Sequence, residues 1–456
     1  MKKSSQYLLG ILILAFILRI ILVISVQDHL ERAYEPDTSG YIEPALRLLH
    51  GEGFIDDPHR TPVYPLFIAS VYWVAGEKPL AVIIVQIFLS VLTVYMTFWV
   101  GSHLISESAG LIAALLMAVS IEAITHSFFL LTETLFSLLF LGSILAYVIF
   151  DQTRKRSWLV YSGCFMGFSI LCRPIALYFP ILFLLIILFG SAKGFLERMI
   201  KSLLYGVCVL IVILPWMLWN YSTIGMATVS TISDYNLLFY NAALLRANQT
   251  GQYTDQVRDQ LSDQVDQILT ESNLVDMPAN RSVIDREVAI KIISGDPVRY
   301  VYLHLRSDLN NLLPGITDLT EILGITVGGK GTLAVLNKDG LMAAISHYFA
   351  DQVWLLGLFA PAIALLAITY LADLIGMGRL IKRRKWFTFC MLVLPLLYLM
   401  LIPGAPSNQR FRVPALPYIT LLASYGLIIT WDFSKKLLNG NKSKAMKAME
   451  ISPEEF

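Results

Sequence analysis

Of the 456 residues, 56% are hydrophobic and 15% are charged, against roughly 25% charged in soluble domains. This excludes a soluble globular enzyme, and a formal net charge of +1 gives no sign of a nucleic-acid or acidic partner. Cys164, Cys172, Cys208 and Cys390 all lie in apolar runs without disulfide or zinc spacing.

The expected fold class is an all-α polytopic membrane protein of about ten transmembrane helices. Lys2 and Lys3 precede an apolar run ending near Val26, too long for a cleavable signal and without a small-x-small site, so it reads as a retained anchor. Arg19 interrupts it. A central Arg costs roughly 2.5–3.5 kcal/mol on insertion scales, so it should face the bundle or snorkel.

After this span comes the loop Glu35-Pro36-Asp37-Thr38-Ser39-Gly40-Tyr41, a carboxylate among helix breakers where a membrane helix meets water. Asp37 is the candidate catalytic base; the plainer reading is a solvated Asp capping the next helix. Apolar runs place spans at 7–27, 79–100, 109–126, 131–150, 158–172, 174–190, 201–219, 352–375, 386–402 and 412–431. Residues 62–76 are apolar but short and open on Pro62 and Pro65, as in a surface or re-entrant helix.

Charge decides that segment. With ten spans and a cytoplasmic N-terminus, the loops holding Arg154-Lys155-Arg156, Lys193 to Lys201 and Arg379 to Lys385, and the lysine-rich tail, all fall inside. Counting 62–76 as a span would invert them. The chain thus divides into an N-terminal transmembrane module, 1–219, with an outer loop at 28–78; an outer domain, 220–351; C-terminal spans, 352–433; and a cytoplasmic tail, 434–456. Helical spacing in 254–272 and 282–313 predicts a small, mostly helical outer domain resting on the membrane.

Asp37, Glu43, Arg60, Glu122, His126, Glu133, Arg173, Asp234, Arg410 and Arg412 then share one membrane face. Ionisable groups near the bilayer are expensive and mark function by default. Glu133 either caps its helix, helped by the N-terminal dipole, or faces Asp37 across a cavity. Glu122 and His126, one turn apart, could pair or bind a metal, although two residues alone make no site. Arg173, before Pro174, falls in a tight, outward-facing connection between two spans, and Arg410 and Arg412, flanking Phe411, stand on the wrong side for the positive-inside rule. A guanidinium fork suits a phosphate; the alternative is headgroup anchoring.

Together these pieces resemble the GT-C glycosyltransferases of the protein O-mannosyltransferase and lipid A aminoarabinose transferase type, family 39-like. The matching elements are Leu18-Arg19; the loop from Asp37 to Tyr41 with Gly51-Glu52-Gly53-Phe54; and Arg60-Thr61-Pro62-Val63-Tyr64-Pro65-Leu66. Further along they are Thr132-Glu133-Thr134-Leu135, Arg173-Pro174, Leu214-Pro215-Trp216 with Asn220-Tyr221, Asp234-Tyr235-Asn236-Leu237, and the stretch from Arg410 to Pro417. The resemblance implies inverting transfer of a sugar from a polyprenyl-phosphate donor to a lipid, glycan or protein acceptor. It places that reaction on the periplasmic or extracellular face of a bacterial or archaeal cell membrane. It implies Asp37 as base, Glu133 as supporting carboxylate, and Arg410, Arg412 or Arg173 as phosphate ligands. Tyr41, Arg60, Tyr64, Glu122, His126 and Asp234 are expected in the substrate cavity. No cofactor is required, and a divalent metal is left open but not predicted. The outer domain is smaller than in the large mannosyltransferases, which leaves the acceptor unassigned. The rival class is a transporter or lipid-linked-sugar flippase, whose usual internal duplication is not seen in the sequence.

Overall fold

The computed structural model describes residues 3–54, 58–189, 194–325, 332–349, 352 and 354–450. Among the described residues, each expected span holds a helix: α1 (Lys3–Ser25), α4 (Pro79–Leu104), α5 (Glu107–Val119), α7 (Glu133–Thr153), α8 (Arg156–Cys172), α9 (Phe179–Phe189), α10 (Phe195–Ile224), α18 (Trp354–Lys382), α19 (Trp386–Leu401) and α20 (Leu416–Glu450). Among the described residues, six helices are long and apolar enough to cross a bilayer unaided. The chain is an integral membrane protein with multiple apolar spans.

Three boundaries differ from the sequence reading. The run 109–126 breaks at Ser120, whose extended backbone separates α5 from the single turn α6 (Ile121–Thr125). The run 174–190 opens with a 3₁₀ turn, Pro174–Ala176, because proline stops α8 but suits the start of a new helical turn. Past residue 431, α20 continues to Glu450, in a Lys-, Met- and Ala-rich stretch of good helix formers.

Helix α7 is the hub: 83% of its apolar window is buried, against 22–44% for α1, α4, α10 and α18. Phe140 of α7 meets Phe179 at 4.8 Å between ring centroids, and Phe183 carries the aromatic stack on to Tyr205 of α10. Helices α18 and α20 cross where Gly376 faces Leu422 and Gly426 faces the Ala372 carbonyl; a Cβ on either glycine would strike backbone. Arg19 faces the bundle, fully buried, donating to Ser90 Oγ (2.8 Å) and to the Ala15 (2.8 Å) and Ala118 (3.3 Å) carbonyls.

Between α1 and α4 the loop folds into α2 (Ser39–Leu49) and α3 (Val63–Ala75), the latter covering the short apolar stretch. After α10 comes a helical segment made of α11 (Ile232–Asn236), α12 (Ala243–Thr250), α13 (Thr254–Glu271), α14 (Pro278–Gly295), α15 (Pro297–Asp308), α16 (Ile316–Leu323) and α17 (Thr332–Tyr348). It has its own core, in which Val257, Leu261, Val265 and Leu269 repeat every fourth residue along α13 and pack with Leu238, Ile284 and Val288. The loop helices and this domain enclose polar space above the bundle.

Candidate active site

Three local devices bring the ionisable residues together. In the first loop, Thr38 is buried; its hydroxyl accepts from the Glu35 amide (3.0 Å) and donates to the Leu130 carbonyl (3.2 Å). The Leu130 amide in turn bonds the Ala33 carbonyl (2.9 Å), so the Asp37 turn is pinned to the entry of α7. Although α2 begins at Ser39, the Asp37 carboxylate does not cap it and instead faces two arginines.

The second device explains the Trp216 and Asn220 motif. Trp216 Nε1 donates to the Val229 carbonyl (2.8 Å) and Asn220 Nδ2 to that of Thr228 (2.7 Å), turning the chain back as it leaves α10. Ser230 Oγ then donates to the His59 carbonyl (2.7 Å) and the Thr231 amide to that of Pro58 (3.3 Å), which sets Arg60 above Asp37. Arg60 packs closely over Gly40, where a Cβ would come within 3.1 Å of Arg60 Nε. The third device is the 3₁₀ turn Gln409–Ala415, capped by the Asn408 side chain, which accepts from the Arg410 amide (3.1 Å).

The product is a chain of alternating charge. Arg60 Nη2 donates to Asp37 Oδ1 (2.8 Å) and Arg410 Nη2 to Asp37 Oδ2 (2.6 Å). Arg410 Nε lies 2.8 Å from Oε1 of the fully buried Glu133, and the same oxygen pairs with Arg173 Nη1. The Arg173 guanidinium stacks 4.9 Å from the Phe411 ring. Three guanidiniums against two carboxylates leave one positive charge in excess among these five residues, suited to an anionic group. Burial raises the Asp37 carboxyl, but Arg410 and Arg60 outweigh it and hold the group well below the usual carboxylate range.

Asp37, Tyr41, Arg60, Arg173, Arg410 and Asp234 line a cavity of about 920 Å³ between the bundle and the loop domain. Asp234 is oriented by Ser282 Oγ at 2.5 Å. Glu133 sits behind this wall, reaching it through Arg173 and Arg410. Four further residues expected in the site also lie off the cavity. Tyr64 is buried behind Tyr41, with its hydroxyl on Gln86 Oε1 (2.6 Å). His126 is enclosed against Phe129, with Nδ1 3.9 Å from Asp318 Oδ2. Glu122 pairs with Arg412 and accepts from Ser120 Oγ (2.8 Å) and the Gly315 amide (3.1 Å). Arg412, fully buried, also donates to the Asn311 (3.1 Å) and Leu313 (2.8 Å) carbonyls and to Tyr370 Oη (2.7 Å). That set of partners makes Arg412 a brace between the bundle and the returning loop domain. Glu122 and His126 share a helical turn in sequence, yet among the described residues no three His, Cys, Asp or Glu side chains group as metal ligands.

The cavity also uses residues that sequence reasoning passed over as site groups: His59, whose ring meets Tyr235 at 5.2 Å, and Arg286, Tyr300 and His304 of the loop domain. The one available signal was their spacing: 286 and 290, like 300 and 304, share helix faces.

Residues 58–219 match the family described as dolichyl-phosphate-mannose-protein mannosyltransferase, so the family resemblance read from the sequence is found independently over that segment. It includes Arg60, Glu133 and Arg173 but neither Asp37 nor Arg410. No curated protein matches. Among solved structures, the chain is similar to the archaeal oligosaccharyltransferase AglB of Archaeoglobus fulgidus in complex with an inhibitory peptide and a dolichol-phosphate, at 12% identity and a TM-score of 0.56. All of this chain is covered, and 53% of that one. The chain shares the fold of the matched part of that structure. The apo form of the same oligosaccharyltransferase matches at 13% identity and a TM-score of 0.56, over 96% of this chain and 52% of that one. This chain therefore spans about half the length of the AglB structures. ArnT from Cupriavidus metallidurans bound to undecaprenyl phosphate is a more distant match, at 10% identity and a TM-score of 0.41, covering 92% of this chain and 77% of that one.

Two outcomes are expected from these buried charges. Arg412→Met strands the Glu122 carboxylate and should destabilise the protein by about 3–5 kcal/mol, read by thermal unfolding in detergent. Glu35, beside the site, has its carboxyl pushed up to about 7 from 4.5 by burial, then by Glu321 and Asp318, with Arg410 opposing. Its contribution to stability is therefore present below pH 4.5 and lost as pH rises to about 7. The midpoint of Glu35→Gln should gain on wild type across that window and level off above it; a constant difference would contradict the assignment.

Proposed function

We propose that this protein is a membrane glycosyltransferase that moves a sugar, with inversion, from a polyprenyl-phosphate donor to an acceptor on the outer face of the membrane. The observation that carries this reading is Asp37, held between Arg60 and Arg410 on the wall of a cavity that meets both the bundle and the loop domain. The sequence match over 58–219 to a family described by a lipid-phosphate sugar donor supports the donor class.

An acceptor O–H attacks the anomeric carbon; the new C–O bond forms as the bond from that carbon to the phosphate oxygen breaks. The electron pair leaves with the phosphate, which Arg410 and Arg173 stabilise as its charge grows. Asp37 takes the acceptor proton. With both arginines attached, Asp37 is a weak base, since their charges favour its ionised form. An arriving phosphate competes for Arg410 and so raises the basicity of Asp37 when the donor is in place. Glu133, buried and paired to both phosphate-side arginines, is a positioning residue. Arg412 is better read as a structural brace than as a phosphate ligand, because its described contacts lie within the protein, away from the cavity.

Asp37→Asn should lower kcat by about 10²–10⁴-fold, with donor binding retained in detergent-solubilised enzyme given a radiolabelled polyprenyl-phosphate sugar. Near-normal turnover would remove Asp37 from the chemistry. Arg410→Ala should raise the donor KM far more than the acceptor KM; an unchanged donor dependence would move the phosphate site.

A further inference from the structure

Helix α15 carries an apolar stripe that the protein leaves bare. Val298, Val301, Tyr302 and Leu305 are 81%, 52%, 61% and 50% exposed, and Leu309, 52% exposed, continues the line into the next turn. At helical spacing these residues fall within an arc of about 100°. Arg299 and Arg306 are exposed along one edge of it. The other side of α15 is occupied: Leu303 is buried, and Tyr300 and His304 line the cavity. A contiguous apolar face of this kind in water would be an aggregation site, so something covers it.

The height of α15 identifies the cover. His304 Nε2 donates to the carbonyl of Leu401 (2.8 Å), the last residue of the apolar helix α19. One turn on, Asp308 Oδ1 accepts from the Gly404 amide (2.9 Å) and Ser407 Oγ (2.7 Å), and in the 3₁₀ turn that follows Asn311 Nδ2 donates to the Met400 carbonyl (3.0 Å). Helix α15 is thus tied to the level at which α19 ends, beside the exposed Leu397, Leu401 and Ile402. We infer that α15 is an interfacial helix whose stripe is seated in the headgroup–acyl boundary of the membrane that the bundle crosses. The partner is the phospholipid surface: Tyr302 suits the boundary, and Arg299 and Arg306 reach headgroup phosphates. One wall of the cavity is then held in place by lipid.

The test uses the full chain in phosphatidylcholine nanodiscs, with its four native cysteines replaced and bimane attached singly at V298C, Y302C or L305C, and at D259C on the exposed side of α13 as control. Phosphatidylcholine brominated on the acyl chains should quench the three stripe positions roughly twofold or more while leaving D259C unchanged. Quenching at the stripe no greater than at D259C overturns the inference. That holds whether aqueous iodide reaches the stripe, meaning solvent, or neither quencher does, meaning a second copy or another protein. If the cysteine-free protein does not fold, p-benzoylphenylalanine at Tyr302 in the otherwise native chain gives the same decision. A phospholipid adduct on irradiation supports the inference, and a protein adduct or none rejects it.

Discussion

A charge buried at the end of a membrane helix must be paired, and the architecture follows from how this chain meets that demand. Glu133 is fully buried at the first turn of the most enclosed helix, where an uncompensated carboxylate would be strongly destabilising. Arg173 and Arg410 answer it, from the end of α8 and the turn before α20. Arg410 also reaches Asp37, 373 residues away in sequence, and Arg60 closes the chain from the first loop. Each pairing joins one more segment to the polar face of the bundle, so the cavity is assembled by the same contacts that make its charges tolerable.

In the proposed reaction the pairing also bears on the chemistry. An Asp between two guanidiniums is firmly ionised and correspondingly reluctant to accept a proton until one of them is drawn away. Charge excess among the five residues favours an incoming phosphate, and competition for Arg410 would link donor arrival to proton acceptance. The second buried pair, Glu122 with Arg412, has a different task. It holds Gly315 and the carbonyls of Asn311 and Leu313, the point at which the loop domain returns to the bundle.

Much of this was legible in the sequence. Long apolar runs set the helices because bilayer thickness fixes their length, and runs of arginine and lysine set which loops share a side. That was enough to group Asp37, Arg60, Glu133, Arg173 and Arg410, which do meet. What stayed hidden depended on direction within a face. Glu122 and His126 share the single turn α6, with His126 Nδ1 3.2 Å from the Glu122 carbonyl, but their side chains diverge, Glu122 to Arg412 and His126 toward Asp318. Tyr64 resembles a cavity residue until Gln86, a lone amide in the apolar run of α4, takes its hydroxyl. Arg410 and Arg412 stand two residues apart and were read as equivalent; a 3₁₀ turn sends one to the cavity and the other into the protein. Contributions from the loop domain, such as Arg286 and His304, depend on how that domain docks, which no local pattern encodes.

In the proposed reaction Arg410 is shared between Asp37 and the donor phosphate. A structure of the protein with bound polyprenyl phosphate tests it most directly. The phosphate should lie within hydrogen-bond reach of Arg410 and Arg173, with the Arg410–Asp37 contact lengthened from its present 2.6 Å. A phosphate bound elsewhere in the cavity, beside Arg286 and His304 with the Asp37–Arg410 pair intact, would contradict it.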